Sequence, residues 1–282
     1  SPVTSLQVSG IKVTGVQYQS NGEPHTAKSD HVVLSSGVYR TPQILMLSGI
    51  GPVTQLEPHD IPVVHEMPGI GENYQDHAVV FMTYEGVKPF QTDWIIPRFR
   101  LVTKSDPSLT YGDFHVHMRA PIQLEGSKSL MSISAHLLEQ RSRGRLVMKT
   151  SDPQEQLDVE SRMMEDPGDI NAMVSTMSFI DEFVNHSSMK GFFGSLLQPA
   201  IGQDWKTFAR STFDCYHHGV GTCMMGSSSN NQSVVNEHLQ VHGMSNLWIA
   251  DASIMPVVTH ANTNLTSIMI GERLFDFMEH YG

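Results

Sequence analysis

Cysteine is nearly missing: Cys215 and Cys223 are the two cysteines among 282 residues. Two are too few for a disulfide scaffold, and no CxxC or Cys/His spacing points to zinc. The fifteen histidines are scattered. His115 and His117 would share one strand face, yet no third ligand stands with them, so no metal is expected. Positive charge is also short: 18 Lys and Arg face 29 Asp and Glu, a formal net charge of −11, with no basic block. A surface that tracks nucleic-acid phosphates needs clustered cations, so no DNA or RNA partner is expected, and anionic membranes are disfavoured. No window holds the roughly 18 nearly uninterrupted apolar residues of a spanning helix. The opening Ser-Pro-Val-Thr is not a basic-then-apolar leader, and because leaders are removable the compartment is left unassigned. Finally, no strand–GxGxxG–helix unit, the pyrophosphate cradle of dinucleotide domains, occurs. Gly69-Ile70-Gly71-Glu72-Asn73 follows a proline and lacks the third glycine, so it reads as a loop.

What is there belongs to a folded chain, with 39% hydrophobic and 17% charged residues. Val3, Leu6 and Val8 alternate before Gly10, and Val13 and Val16 alternate before Asn21-Gly22, a strong hairpin signal. His31 to Ser36 reads as a short buried strand closed by Gly37, after which Pro42 is placed in the first turn of an apolar helix ending at Gly49. Residues 114–120, 130–138 and 143–150 have strand periodicity and suit one antiparallel sheet. From Pro167 to about His186, apolar residues Ile170, Met173, Val174, Met177, Ile180 and Val184 fall at helical spacing.

Two polar segments invite chemistry. In Tyr216-His217-His218-Gly219 a histidine could be structural, but Gly219, Gly221 and Gly226 permit close backbone approach, and an imidazole is the natural general base near neutral pH. In Thr259-His260-Ala261-Asn262-Thr263-Asn264, an asparagine ahead of an apolar helix could simply cap it, with Asn264 or Thr263 the better placed for that. Asp251, closing the strand-like LWIA, could cap the next turn.

Four stretches together carry a resemblance: SGVYRTPQILMLSGIGP (36–52), HDIPVVHEMPGIGENYQDH (59–77), HGVGTCMMG (218–226), and VHGMSNLWIADASIMP with ANTNLTSIMIGERLFDFM (241–256, 261–278). In order and spacing they resemble the glucose–methanol–choline oxidoreductases. The likeness is strong at both ends and weak between about 80 and 205. It implies an α/β fold, the C-terminal part of a two-domain flavoprotein. An incomplete FAD-binding α/β domain would stand beside a substrate domain whose antiparallel sheet is flanked by helices. It further implies FAD as cofactor and oxidation of a small-molecule alcohol, with His218 as the catalytic base and Asn262 as its partner on the substrate oxygen. Asp251, Ala252 and Thr263 would lie on the cofactor side, and His217 would pack beside the flavin or fix the loop. Asn73, Asp76 and His77 are given no chemistry.

The division expected on this basis is 1–78 as the returning segment of the FAD domain, 79–205 as the substrate domain, and 206–282 closing the FAD domain. The family's FAD-binding glycine loop lies in its N-terminal half and is absent here, which implies a partner fragment or subunit that carries it. Two other readings keep the same fold: a flavin-containing hydroxynitrile lyase, and a non-catalytic structural half-subunit.

Overall fold

The computed structural model describes residues 2–87, 100–119, 121–124 and 129–281, with side chains to residue 279. In chain order, β1 (Val3–Ser9), β2 (Lys12–Ser20), β3 (Glu23–Lys28) and β4 (Val32–Leu34) lead into α1 (Gly37–Leu47). There follow β5 (Ile50–Gly51), α2 (Val53–Leu56), β6 (His65–Glu66), β7 (Ala78–Gly86), β8 (Arg100–Thr103), β9 (Phe114–Met118), β10 (Ile122–Gln123) and β11 (Ser129–Leu137). Next come β12 (Arg145–Val147), β13 (Asp158–Glu160), α3 (Pro167–Asn185), β14 (Phe193–Gln198), α4 (Trp205–Thr212) and β15 (Asp214–Cys215). Strand β16 (Leu247–Ile249) and helix α5 (Asn264–Tyr281) close the chain.

The chain forms two units, one of residues 1–75, 143–162 and 218–282, the other of 76–142 and 163–217. The stretch 143–150, expected as a third strand of the substrate sheet, lies instead in the first unit. There β12 pairs with β13, because Leu146 and Met148 are buried in the first unit's core and Gly144 exchanges two backbone bonds with Tyr74.

In the first unit, β1, β2 and β3 form an antiparallel meander, and Asn21 and Gly22 turn it with φ of 54° and 82°, as a tight hairpin demands. Strand β4 pairs in parallel with β16, and Val33 of β4 is exposed. Helix α1 begins at Gly37, so Pro42 is inside it rather than in its first turn. The helix starts early because Asp251 accepts the Gly37 N–H at 2.9 Å and the Ser36 N–H bonds to the Thr41 hydroxyl at 3.1 Å, which occupies two orphan donors. Helix α5 buries Ile270 and Leu274 and leaves Leu265, Ile268, Met269 and Phe275 exposed.

In the second unit an antiparallel sheet runs in the order β14-β7-β11-β9-β8, with β10 on β11 and β15 on β7. One face is apolar: Val80, Met82, Tyr84, Phe114, Val116, Met131, Ile133 and Ala135 pack on Ile170, Met173, Met177 and Ile180 of α3. This helix spans the stretch its periodicity predicts, and Asp166 caps it by accepting from Gly168 N–H at 2.7 Å. No helix among the described residues is long and apolar enough to cross a membrane.

Candidate functional site

The loop after His218 is held by its backbone. Val220 and Gln75 exchange N–H···O bonds at 2.9 and 3.1 Å. Gly221 has φ of +98°, and a Cβ there would stand 2.4 Å from the Asn73 carbonyl oxygen, so only glycine fits. Beyond it, Gly221, Cys223 and Met225 donate to the carbonyls of Ala252, Ser253 and Ile254, which lays the loop along the segment that follows β16. Thr222 Oγ1 donates to the Val38 carbonyl in α1 at 2.6 Å.

Side-chain amides tie down the second arm. Gln75 Nε2 donates to the Pro256 carbonyl at 3.0 Å and Asn73 Nδ2 to the same carbonyl at 3.2 Å, while Gln75 Oε1 accepts from Val258 N–H at 3.3 Å. Asp251 Oδ2 accepts from Gly37 N–H and from the Thr41 hydroxyl, and Oδ1 accepts from Ser253 N–H. From these anchors the chain reaches Asn262, whose Nδ2 stands 3.0 Å from His218 Nε2. The two residues are 44 apart in sequence and meet side chain to side chain. An amide N–H that donates to Nε2 makes that atom the acceptor and occupies its single lone pair; a hydroxyl that displaced the amide would meet that lone pair and the freed N–H at a single point. Tyr39 and Tyr74 join hydroxyls at 3.0 Å close by, where a Cβ on Gly219 would stand 3.2 Å from the Tyr74 ring.

Two family models described as GMC oxidoreductase match the chain, one over residues 3–79 and the other over 140–271. The chain belongs to the GMC oxidoreductase family. It is 30% identical to choline oxidase of Arthrobacter globiformis over 95% of its own length and 52% of that protein's. To human mitochondrial choline dehydrogenase it is 28% identical, over 98% of the chain and 52% of the dehydrogenase. The chain thus spans about half the length of these relatives. Among solved structures, pyridoxine 4-oxidase superposes with a TM-score of 0.91 at 22% identity, covering 99% of this chain and 57% of that one. A formate oxidase of Aspergillus oryzae superposes at 0.85 and 20% identity, with 99% and 60% covered. The fold is the two-domain α/β architecture of this family.

Within this GMC chain, His218 and Asn262 come together, whereas His217 does not join them. It is exposed, has φ of 60°, ends the second unit, and sets Nδ1 3.5 Å from Cys215 Sγ. Asp251 has both oxygens engaged within the protein, so it organises the start of α1 and the turn 252–254. Ala252 receives the Gly221 N–H, and the Thr263 carbonyl accepts the Ser267 N–H, the first backbone bond of α5. Neither cysteine is activated: burial raises both thiols, Cys223 well above its ordinary value. Gln75, Tyr39 and Tyr74 carry no sequence signal for their part here, because only the tertiary fold brings them to the loop.

The donor set suits one side of a flavin. Helix α5 presents its amino-terminal N–H groups after Thr263, and neutral donors of that kind favour an electron-rich ring.

Proposed function

We propose that this chain supplies the acid–base half of an FAD-dependent alcohol oxidation. The carrying observation is the 3.0 Å approach of Asn262 Nδ2 to His218 Nε2. Removing hydride from a neutral alcohol leaves a protonated carbonyl, a poor product, whereas an incipient alkoxide releases it readily. His218 Nε2 takes the hydroxyl proton. Asn262 turns its N–H to the same oxygen and stabilises the charge that develops there. General-base help of this kind is typically worth about 10²–10⁴-fold. FAD, when bound, supplies the acceptor for the hydride. The hydroxynitrile lyase reading keeps the fold but has no observation in its favour.

FAD would be gripped jointly with a segment that bears the glycine loop. Leu265, Ile268, Met269 and Phe275 form an exposed apolar stripe at helical spacing on α5, which supports a covering partner. The parallel pair β4 and β16 supports it as well, since parallel strands ordinarily stand inside a larger covered sheet.

The test is to express the chain with a family segment carrying the glycine loop and to add alcohols without oxygen. Bleaching of the bound flavin, slowed by about 10²–10⁴ in His218→Ala with flavin still bound, is the expected result. Bleaching at the parent rate in His218→Ala would overturn the assignment. Two of the relatives bear choline in their names.

A further inference from the structure

Two arms of the first unit meet at His218 and Asn262, and a backbone ladder joins them for only part of the way. Gly221, Cys223 and Met225 donate to the carbonyls of Ala252, Ser253 and Ile254, and there the ladder ends. Residues 256–258 are held instead by the side-chain amides of Asn73 and Gln75. Pro256 and Val257 are exposed, so little packing fixes their place.

Gln75 holds both arms at once. Its backbone exchanges N–H···O bonds with Val220, just after His218, at 2.9 and 3.1 Å. Its side chain reaches the other arm, shortly before Asn262: Nε2 donates to the Pro256 carbonyl at 3.0 Å, and Oε1 accepts the Val258 N–H at 3.3 Å. Nε2 also lies 3.1 Å from Asn73 Oδ1. Carbonyl oxygens around Nε2 and an N–H on Oε1 leave the amide one orientation. Asn73 repeats the link, with Nδ2 donating to the Pro256 carbonyl at 3.2 Å and to the Gly221 carbonyl at 3.4 Å. Gln75 is fully buried, where hydrogen bonds are strengthened by the low dielectric. A slip of the second arm by one residue would withdraw both partners from an amide that has no water to replace them.

We propose that Gln75, with Asn73 beside it, is a positioning residue of this site. It sets the base-bearing arm against the donor-bearing arm and so fixes the 3.0 Å approach of Asn262 to His218. Gln75 acts through the two arms rather than on the substrate. A misplacement of about 1 Å between such groups costs about 10²-fold in rate, even when it originates away from the chemistry. The brace stands on geometry alone; its effect on rate rests on the alcohol oxidation proposed above.

Two variants test it. Gln75→Met keeps nearly the same length without the amide, and Asn73→Gly removes the second link while suiting the φ of 61° at that position. The brace is read first without turnover, in the chain itself, from the His218 ring nitrogen resonances by NMR. Both variants are expected to shift them towards their positions in Asn262→Ala, and resonances that stay at the parent's positions in both would overturn the brace. The consequence is read in the chain complemented by a segment bearing the glycine loop. Anaerobic flavin reduction by a saturating alcohol should slow about 10²-fold in Gln75→Met, with the half-saturating alcohol concentration little changed. In a His218→Ala background the same substitution should slow it less than about tenfold, because no base remains to be misplaced. Equal slowing in both backgrounds would make Gln75 structural alone and overturn its positioning role. If His218→Ala by itself reduces flavin at the parent rate, the alcohol oxidation fails, and the resonances still decide the brace.

Discussion

Thr222 Oγ1 donates at 2.6 Å to the Val38 carbonyl, the group four residues before Pro42 that a proline cannot engage. Pro42 sits inside α1 and offers no N–H, so the threonine of the loop after His218 completes the helix. Thr222 is fully buried, and its removal would strand a carbonyl without water. Thr222→Val is expected to cost about 1–3 kcal/mol, with Thr222→Ser close to the parent. In a Pro42→Ala background, where residue 42 regains an N–H, the cost of Thr222→Val should shrink. Urea unfolding of the four combinations measures the coupling; equal costs in both backgrounds would separate the two residues.

The buried imidazole of His136 gives stability a pH dependence of definite sign. Its value falls to about 3, from an ordinary 6.5, first through burial and then through His117, His115, His77 and Arg119. The unfolded chain therefore binds the extra proton between these values, so the stabilisation is full above about 6.5 and is lost as pH falls toward 3. Between pH 7 and pH 5 this group alone should remove about 2 kcal/mol. His136→Gln, which keeps a polar partner for Ser134 but does not titrate, should flatten that difference in urea midpoints. An undiminished pH difference in the variant would assign the effect elsewhere.

Local features were legible and long-range ones were not. Asn21-Gly22 announces its turn because positive φ at both positions is a local demand, and α3 announces itself by period. Pro42 misleads because the start of α1 is set by Asp251, more than 200 residues away. Segment 143–150 has strand character, but its partner is the exposed β13 and its sheet is decided by where Leu146 and Met148 are buried. His115 and His117 were visible as strand neighbours; His136 joins them only through the register of β9 against β11. The pairing of His218 with Asn262 was legible through the family resemblance, since neither residue type alone separates a base from a structural histidine, or a donor from a cap.

Asn262 distinguishes those last alternatives by substitution. Asn262→Ala removes one donor, a loss reaching roughly 3–4 kcal/mol in strong oxyanion sites. Asn262→Asp should be at least as damaging, because a carboxylate repels the developing alkoxide. Asn262→His should keep more activity than either, since an imidazole N–H can replace the amide donor. A capping role gives the reverse order, with Asp best tolerated. Flavin-reduction rates and melting temperatures of the three variants, measured in the complemented enzyme, separate the roles; an Asp variant that reduces flavin like the parent would remove Asn262 from the chemistry.

The exposed stripe on α5 tests the proposed partner. Leu265 is 77% exposed and Ile268 54%, on the helix face opposite Ile270 and Leu274. A charge at either position has little to disturb in the chain itself, so Leu265→Glu and Ile268→Glu should change its stability by no more than about 0.5 kcal/mol. If the segment bearing the glycine loop covers this stripe, the same charges must be desolvated on assembly, which is costly when unpaired. Each variant should then assemble with that segment and retain FAD at least tenfold less well than the parent, a difference of about 1.4 kcal/mol. Ile268→Val, which keeps the surface apolar, should assemble normally. Gel filtration with absorbance at the flavin band reads both assembly and retention in one run. Full assembly of Leu265→Glu and Ile268→Glu would show that α5 faces solvent in the complete enzyme and that any partner docks on another face.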